Sequence, residues 1–298
     1  MKTTIHPKWF FLPILLILLS CSDDFDVTPE RNEFGKLELQ ISGLADLGND
    51  FIYEGWIIVN NSAISTGVFK VDEDGILSKK SFLVEKEPLT TATTFVLTIE
   101  PLPDNDPAPS STHIIGGSFS ANSATLSIGH SSSFNNDFIS ATGSFILATP
   151  TNESTADEKS GIWWLDPNTG PGPGLVLPAL TSGWKYEGWA VVNGIPLSTG
   201  TFTQVDKADD EVIYGTNMPG PPFPGEDFLF SPPEGLSFPL DLSGATAVIS
   251  IEPDPDNDPG PFSLKPLIGA IPNPAQDHTL YPMENTILDN IPTGVASR

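Results

Sequence analysis

In "PDPDNDPGP", residues 253–261, Asp254, Asp256 and Asp258 alternate with proline and asparagine. A hard cation such as calcium wants several carboxylate and carbonyl oxygens at close range, and this spacing matches the first positions of a calcium loop. The sixth position, however, is Pro259, and the twelfth, where such a loop needs glutamate, is Lys265. A shorter version at 103–109, "PDNDPAP", carries only Asp104 and Asp106, because Leu102 stands where Asp254 would be. Proline at 101, 103, 107 and 109 favours a stiff, extended loop whose acids are solvated. Calcium, held by Asp254, Asp256 and Asp258, remains the one cofactor this reading leaves open.

A second candidate is aromatic. Trp163, Trp164 and Trp184 flank the Gly/Pro-rich "DPNTGPGPG", and a later Pro-rich stretch carries Phe223, Phe228 and Phe230. Rings bordered by polar groups can stack on sugar faces, so Trp163 and Trp164 are candidates for a glycan platform; packing at a domain junction would use the same residues. Other chemistry finds little footing. His6, His113, His130 and His278 have no partners at metal spacing. There is no G-x-S-x-G turn, no phosphate-binding Gly-rich loop and no dinucleotide fingerprint. The expectation is a protein that is not an enzyme, with a hydrolase built on an unfamiliar site as the remaining alternative.

The elements that hold these loops are written twice. "YEGWIIVNNSAISTGVF" at 53–69 returns as "YEGWAVVNGIPLSTGTF" at 186–202, an offset of 133. "TTFVLTIEPLPDNDPAP" at 93–109 returns as "ATAVISIEPDPDNDPGP" at 245–261, an offset of 152. The growth of 19 places an insertion in the second copy, within the Pro-rich stretch 215–235. Alternating apolar residues such as Phe95, Leu97 and Ile99 predict strands, and Asn193-Gly194 and Asn60-Asn61 predict two-residue hairpin turns. Glycine inside a strand marks close approach by another group, so an aromatic ring is expected over Gly55 and Gly188. Both faces of that strand are apolar, which predicts a central strand with Trp56 and Trp189 packed inside. The fold class is therefore all-β: two tandem antiparallel β-sandwich, immunoglobulin-like domains, at 35–150 and 160–282, with a tail at 283–298. The polar run 147–161 reads as a linker or a long hairpin loop.

At the N-terminus, Lys2 and Lys8 precede an apolar run from Trp9 to Leu19 and then Ser20-Cys21, the order of parts in a secretory signal peptide, 1–20. The segment resembles the lipobox of bacterial lipoproteins, which implies acylation of Cys21, the sole cysteine, and anchorage to a membrane face. An acidic tether, 21–34, follows; it resembles the export tag that sends some lipoproteins to the outer face of the outer membrane. The formal charge of −25 repels phosphates and excludes nucleic acid as a partner.

The blocks "YEGWIIV", "STGVF", "FVLTIEP" and "IIGG" together resemble the extracytoplasmic C-terminal domain of the anti-sigma-K factor family. Matching elements are residues 56–59, Gly67, 98–101 and 114–117, and in the second copy 189–192, Gly200, 250–253 and 267–269. The resemblance covers about two thirds of the mature chain. It implies a sensing or structural outer domain, with a membrane tether and an envelope protein or glycan as partners. The family's cytoplasmic sigma-binding segment and membrane helix have no counterpart here, so no direct sigma-factor contact is expected. The family's Gly-rich loop after T-x-E-P is replaced by the two acidic loops.

Overall fold

The computed structural model describes residues 1–4, 33–168, 170–256 and 258–298. The signal peptide beyond residue 4, Cys21 and nearly all of the acidic tether lie outside the described residues. Residues 33–298 form one compact unit, nearly all β. In chain order its strands are β1 (Phe34–Ser42), β2 (Phe51–Val59), β3 (Ser62–Phe69), β4 (Ser81–Glu85), β5 (Thr94–Pro101), β6 (His113–Ser120) and β7 (Ser123–Leu126). Then come β8 (Thr142–Leu147), β9 (Gly161–Trp163), β10 (Leu165–Asp166), β11 (Gly172–Pro173), β12 (Leu175–Val176), β13 (Trp184–Val192) and β14 (Ile195–Phe202). The last are β15 (Gly225–Asp227), β16 (Thr246–Pro253), β17 (Leu267–Ala270), β18 (Tyr281–Asn285) and β19 (Thr293–Ser297). One short helix, α1 (Lys86–Thr91), precedes β5.

Two large antiparallel sheets result. The first runs β3-β2-β5-β6-β7-β19-β1-β4, the second β14-β13-β16-β17-β18-β8-β9-β15, with β12 beside β8. The quartets β3-β2-β5-β6 and β14-β13-β16-β17 share one order and hold the repeated sequence, so the duplication is a duplication of four strands. Both hairpins turn as expected: Asn60-Asn61 and Asn193-Gly194 have positive φ at both central positions, the backbone a type I′ turn demands.

Each residue of the repeated Tyr-Glu-Gly-Trp has a physical task. Tyr53 and Tyr186 stack on Phe69 and Phe202 at 5.6 and 5.7 Å, and each hydroxyl donates to a carbonyl eight residues earlier, Ala45 and Pro178. Gly55 lies under the ring of Phe95 and Gly188 under that of Trp164; a Cβ would stand 3.0 and 2.4 Å from ring atoms. Opposite them both copies carry a β-bulge, closed by Gly67 and Gly200 at φ 114° and 97°. Trp56 and Trp189, buried on the other face, donate their indole N–H to Thr98 and Ser250 at 2.8 Å. Glu54 and Glu187 accept the hydroxyls of Ser65 and Ser198.

The strands divide differently from the boundaries the repeat suggested. β8 precedes residue 150 yet lies in the second sheet, paired with β18 and β9. β19 comes from the stretch read as a tail and sits between β7 and β1 of the first sheet. The terminal Arg298 then donates to the carbonyls of Leu89, Ala92 and Ala121 and covers the Phe119 ring at 4.2 Å. A continuous apolar core runs through both sheets. Repetition marks the quartets, whereas the strands that complete each sheet carry no repeat to reveal their partner. The 147–161 segment is the hairpin loop of the pair β8 and β9.

Candidate functional site

The two acidic loops fold alike, and their carboxylates serve the loops themselves. Asp104 accepts the backbone N–H of Asp106 at 2.9 Å, and Asp106 that of Ala108 at 3.0 Å. Asp256 accepts from Asp258 and Asp258 from Gly260, both at 2.9 Å. Asp254 lies 3.9 Å from the ammonium of Lys185. Asp104, Asp106 and Asp254 border a shared cleft of about 330 Å³, but Asp256 and Asp258 do not. Among the described residues no group of three or more His, Cys, Asp or Glu is arranged to hold a metal ion. Asp256 and Asp258 each give an oxygen to an N–H two residues on, while Asp254 faces Lys185, so these carboxylates point to separate partners along the loop.

The aromatic platform is also redistributed. Trp164 is fully buried, covering Gly188 and donating to Thr199 at 3.2 Å. Trp184 packs between Phe134 and Phe262, at centroid distances of 4.7 and 6.1 Å. Trp163 is 5% exposed, with Gly220 and Gly225 against its ring. No sugar-stacking surface is made by Trp163 and Trp164, because the backbone of the insertion covers one ring and β13 the other. What the sequence did bring together correctly is Trp163 and Phe223, which pack in one small buried cluster with Ile146, Ala148 and Leu165.

From that cluster Trp163 and Phe223 line a cleft of about 490 Å³, walled otherwise by residues between 208 and 226 together with Thr151. The volume falls within the range of small-molecule sites. Tyr214, Phe228 and Phe238, with centroids 5.4 to 5.8 Å apart, pin the insertion from behind. β15 ties it to β9. The rim is apolar and open to solvent: Val212 is 64% and Met218 45% exposed, with Pro219 and Pro222 exposed beside them.

Three carboxyl groups sit below this rim, and none was singled out from sequence. Asp227 is completely buried; it accepts from Thr151 N at 2.8 Å, Thr151 Oγ1 at 2.5 Å and Trp163 Nε1 at 2.8 Å. Glu226 accepts backbone N–H groups of Ile213, Tyr214 and Asp227 at 2.5, 3.0 and 2.9 Å. Both are buried and turned to these groups, so they organise the loop. Asp209 is half-buried and accepts from Gly225 N at 2.9 Å. Burial pushes its carboxyl up to about 7, and the neighbouring Glu226 adds to the rise. Burial likewise raises Glu226 and Asp227. Among the described residues no Lys or Arg forms an ion pair with Asp209.

Comparison of the two copies isolates what was added. Over Gly67 the first copy places the ring of Phe82, with ring carbon 3.3 Å from where a Cβ would be. Over Gly200, the counterpart, the second copy places the Asp209 carboxyl at 3.0 Å. The scaffold is content with an apolar ring at this place, so a desolvated carboxyl there is not a requirement of the fold. The sequence signal that pointed here was the 19-residue growth in repeat offset; "KADDE" and "PGEDF" alone resemble any solvated acidic loop. No protein-family model, no curated protein and no solved structure matches the chain.

Proposed function

We propose that the chain is a lipid-anchored protein of the bacterial cell envelope that acts by binding, not by catalysis, and that its ligand enters the cleft walled by residues 208–226. The observation that carries the reading is a pocket of ligand size, apolar at its rim, walled mainly by the segment between β14 and β16, which is longer by 19 residues in the second copy than in the first. Anchorage rests on the sequence around Cys21, and the acidic residues behind it support an address on the outer membrane. The quartets β3-β2-β5-β6 and β14-β13-β16-β17 hold every element through which the chain resembles the anti-sigma-K outer domain, which supports a sensing or scaffolding role without sigma-factor contact. Binding is favoured over hydrolysis because Glu226 and Asp227 are buried, leaving Asp209 as the one part-exposed carboxyl of the cleft lining where acid–base chemistry on a glycoside uses two.

Ligand-observed NMR on the purified chain tests this with a mixed set of mono- and disaccharides, amino acids, amines and short peptides. Ala208→Trp, at an exposed position on the wall, fills the cleft without touching a strand. Saturation transfer to at least one class is expected in the parent chain and lost in Ala208→Trp. Equal signals from both proteins, or none from either, would refute the cleft as the binding site.

A further inference from the structure

The geometry points to a ligand that carries a cationic head, ammonium or guanidinium, on an apolar body, seated with its head at Asp209 and its body against Val212, Met218 and the prolines of the rim. This rests on the cleft being the ligand site and names what the cleft selects. The lining contains two carboxyl groups, Asp209 and Glu226, and no basic side chain. Glu226 is 2% exposed and held by three backbone N–H groups, whereas Asp209 is only half-buried, which makes Asp209 the carboxyl a ligand can meet. Its own partners are backbone N–H groups: those of Gly225, of Glu211 and of its own residue.

A carboxyl in such a place costs desolvation until a cation reaches it, and the neighbouring lysine offers no relief. Lys185, the ammonium of the adjacent strand β13, is committed to Asp210 at 3.0 Å, with Asp254 at 3.9 Å. In the first copy the same station is occupied by Phe82, which itself lies under a cation, Lys79 at 4.5 Å from the ring centroid. The second copy has exchanged a ring for a carboxyl and provides no internal counter-ion. An incoming ammonium supplies it, and the apolar stem behind that head covers Val212 and Met218, which are otherwise left in water. The formal charge of −25 adds a long-range field that concentrates cations and disfavours anionic ligands.

Isothermal calorimetry on the purified chain with n-hexylammonium, n-hexanol and n-hexanoate, equal in stem and different in head, decides the matter. Hexylammonium is expected to bind about 10-fold or more tighter than hexanol, with hexanoate weakest, and Asp209→Asn is expected to bring hexylammonium to within about 2-fold of hexanol. Ala208→Lys, which sets a competing cation on the exposed wall, is expected to weaken hexylammonium alone and stands in should Asp209→Asn fold poorly. Hexanol or hexanoate binding as tightly as hexylammonium, or an Asp209→Asn chain that keeps its preference, would overturn the assignment while leaving the cleft as a ligand site. Failure of all three probes to bind would overturn both.

Discussion

The most informative single residues are carboxylates that the fold takes out of water. Glu187 and Glu252 lie on the repeated quartet, 7% and 1% exposed, and burial pushes them up to about 7 and about 8. Glu187 accepts the Ser198 hydroxyl, and Glu252 accepts Phe262 N with both oxygens at 2.9 and 3.2 Å, which offsets part of that rise. A folded carboxyl that holds its proton more tightly than the unfolded one makes the native state bind more protons, so stability declines as pH climbs. The window runs from the ordinary glutamate range, near 4.5, to about 8. Thermal unfolding is expected at a temperature about 3 °C or more higher at pH 5.5 than at pH 8, with the difference reduced in Glu252→Gln. A melting temperature that rises toward pH 8 would contradict this account of the buried glutamates. None of these acids could be told from solvated ones in the sequence, because burial depends on what the neighbouring strand places over them.

At the level of elements, the hairpins were legible and the site was not. Asn-Asn and Asn-Gly between β-rich flanks dictate the turn, and period-two apolarity dictates the strand, since both are local properties of the backbone. The glycine argument also held: Gly55 and Gly188 admit the rings of Phe95 and Trp164. Substituting Gly188→Ala sets a methyl 2.4 Å from the Trp164 indole nitrogen and 2.3 Å from Thr199 Oγ1, both in a packed core. The expected cost is about 1 to 3 kcal/mol, read by urea denaturation, with Gly194→Ala, where nothing lies within 4 Å, as a comparison that reports backbone strain alone. An unchanged midpoint for Gly188→Ala would mean that the ring does not sit there. Loops obeyed no such local rule. The aspartate alternation at 254–258 suggested a cation site, but Asp256 and Asp258 each turn one oxygen to an Asx turn, whereas the proposed cleft lies in a Pro/Gly-rich segment whose acids look ordinary in isolation.

Across the whole molecule, the duplicated quartets are knitted together by strands that carry no repeat. β19 closes the first sheet from the far end of the chain, and β8 leaves the first copy to join the second sheet, so neither sheet is complete without residues distant in sequence. This explains why composition and periodicity give the all-β class while the boundaries at 150 and 283 fail: pairing between distant strands is set by which edges remain open, not by local pattern. A scaffold copied twice also supplies its own control. What both copies share, the Tyr-Glu-Gly-Trp packing and the Asx-turn loops, belongs to architecture; what one copy alone has, the longer segment between β14 and β16 with Asp209 beneath an apolar rim, is where the proposed ligand site lies. Amide hydrogen exchange of the purified chain with and without n-hexylammonium tests that division most directly. Slowed exchange confined to residues 208–226 and Thr151, with residues 70–80 of the first copy unchanged, is the predicted result; slowing at the acidic loops 101–112 and 253–260 instead, or nowhere, would contradict it.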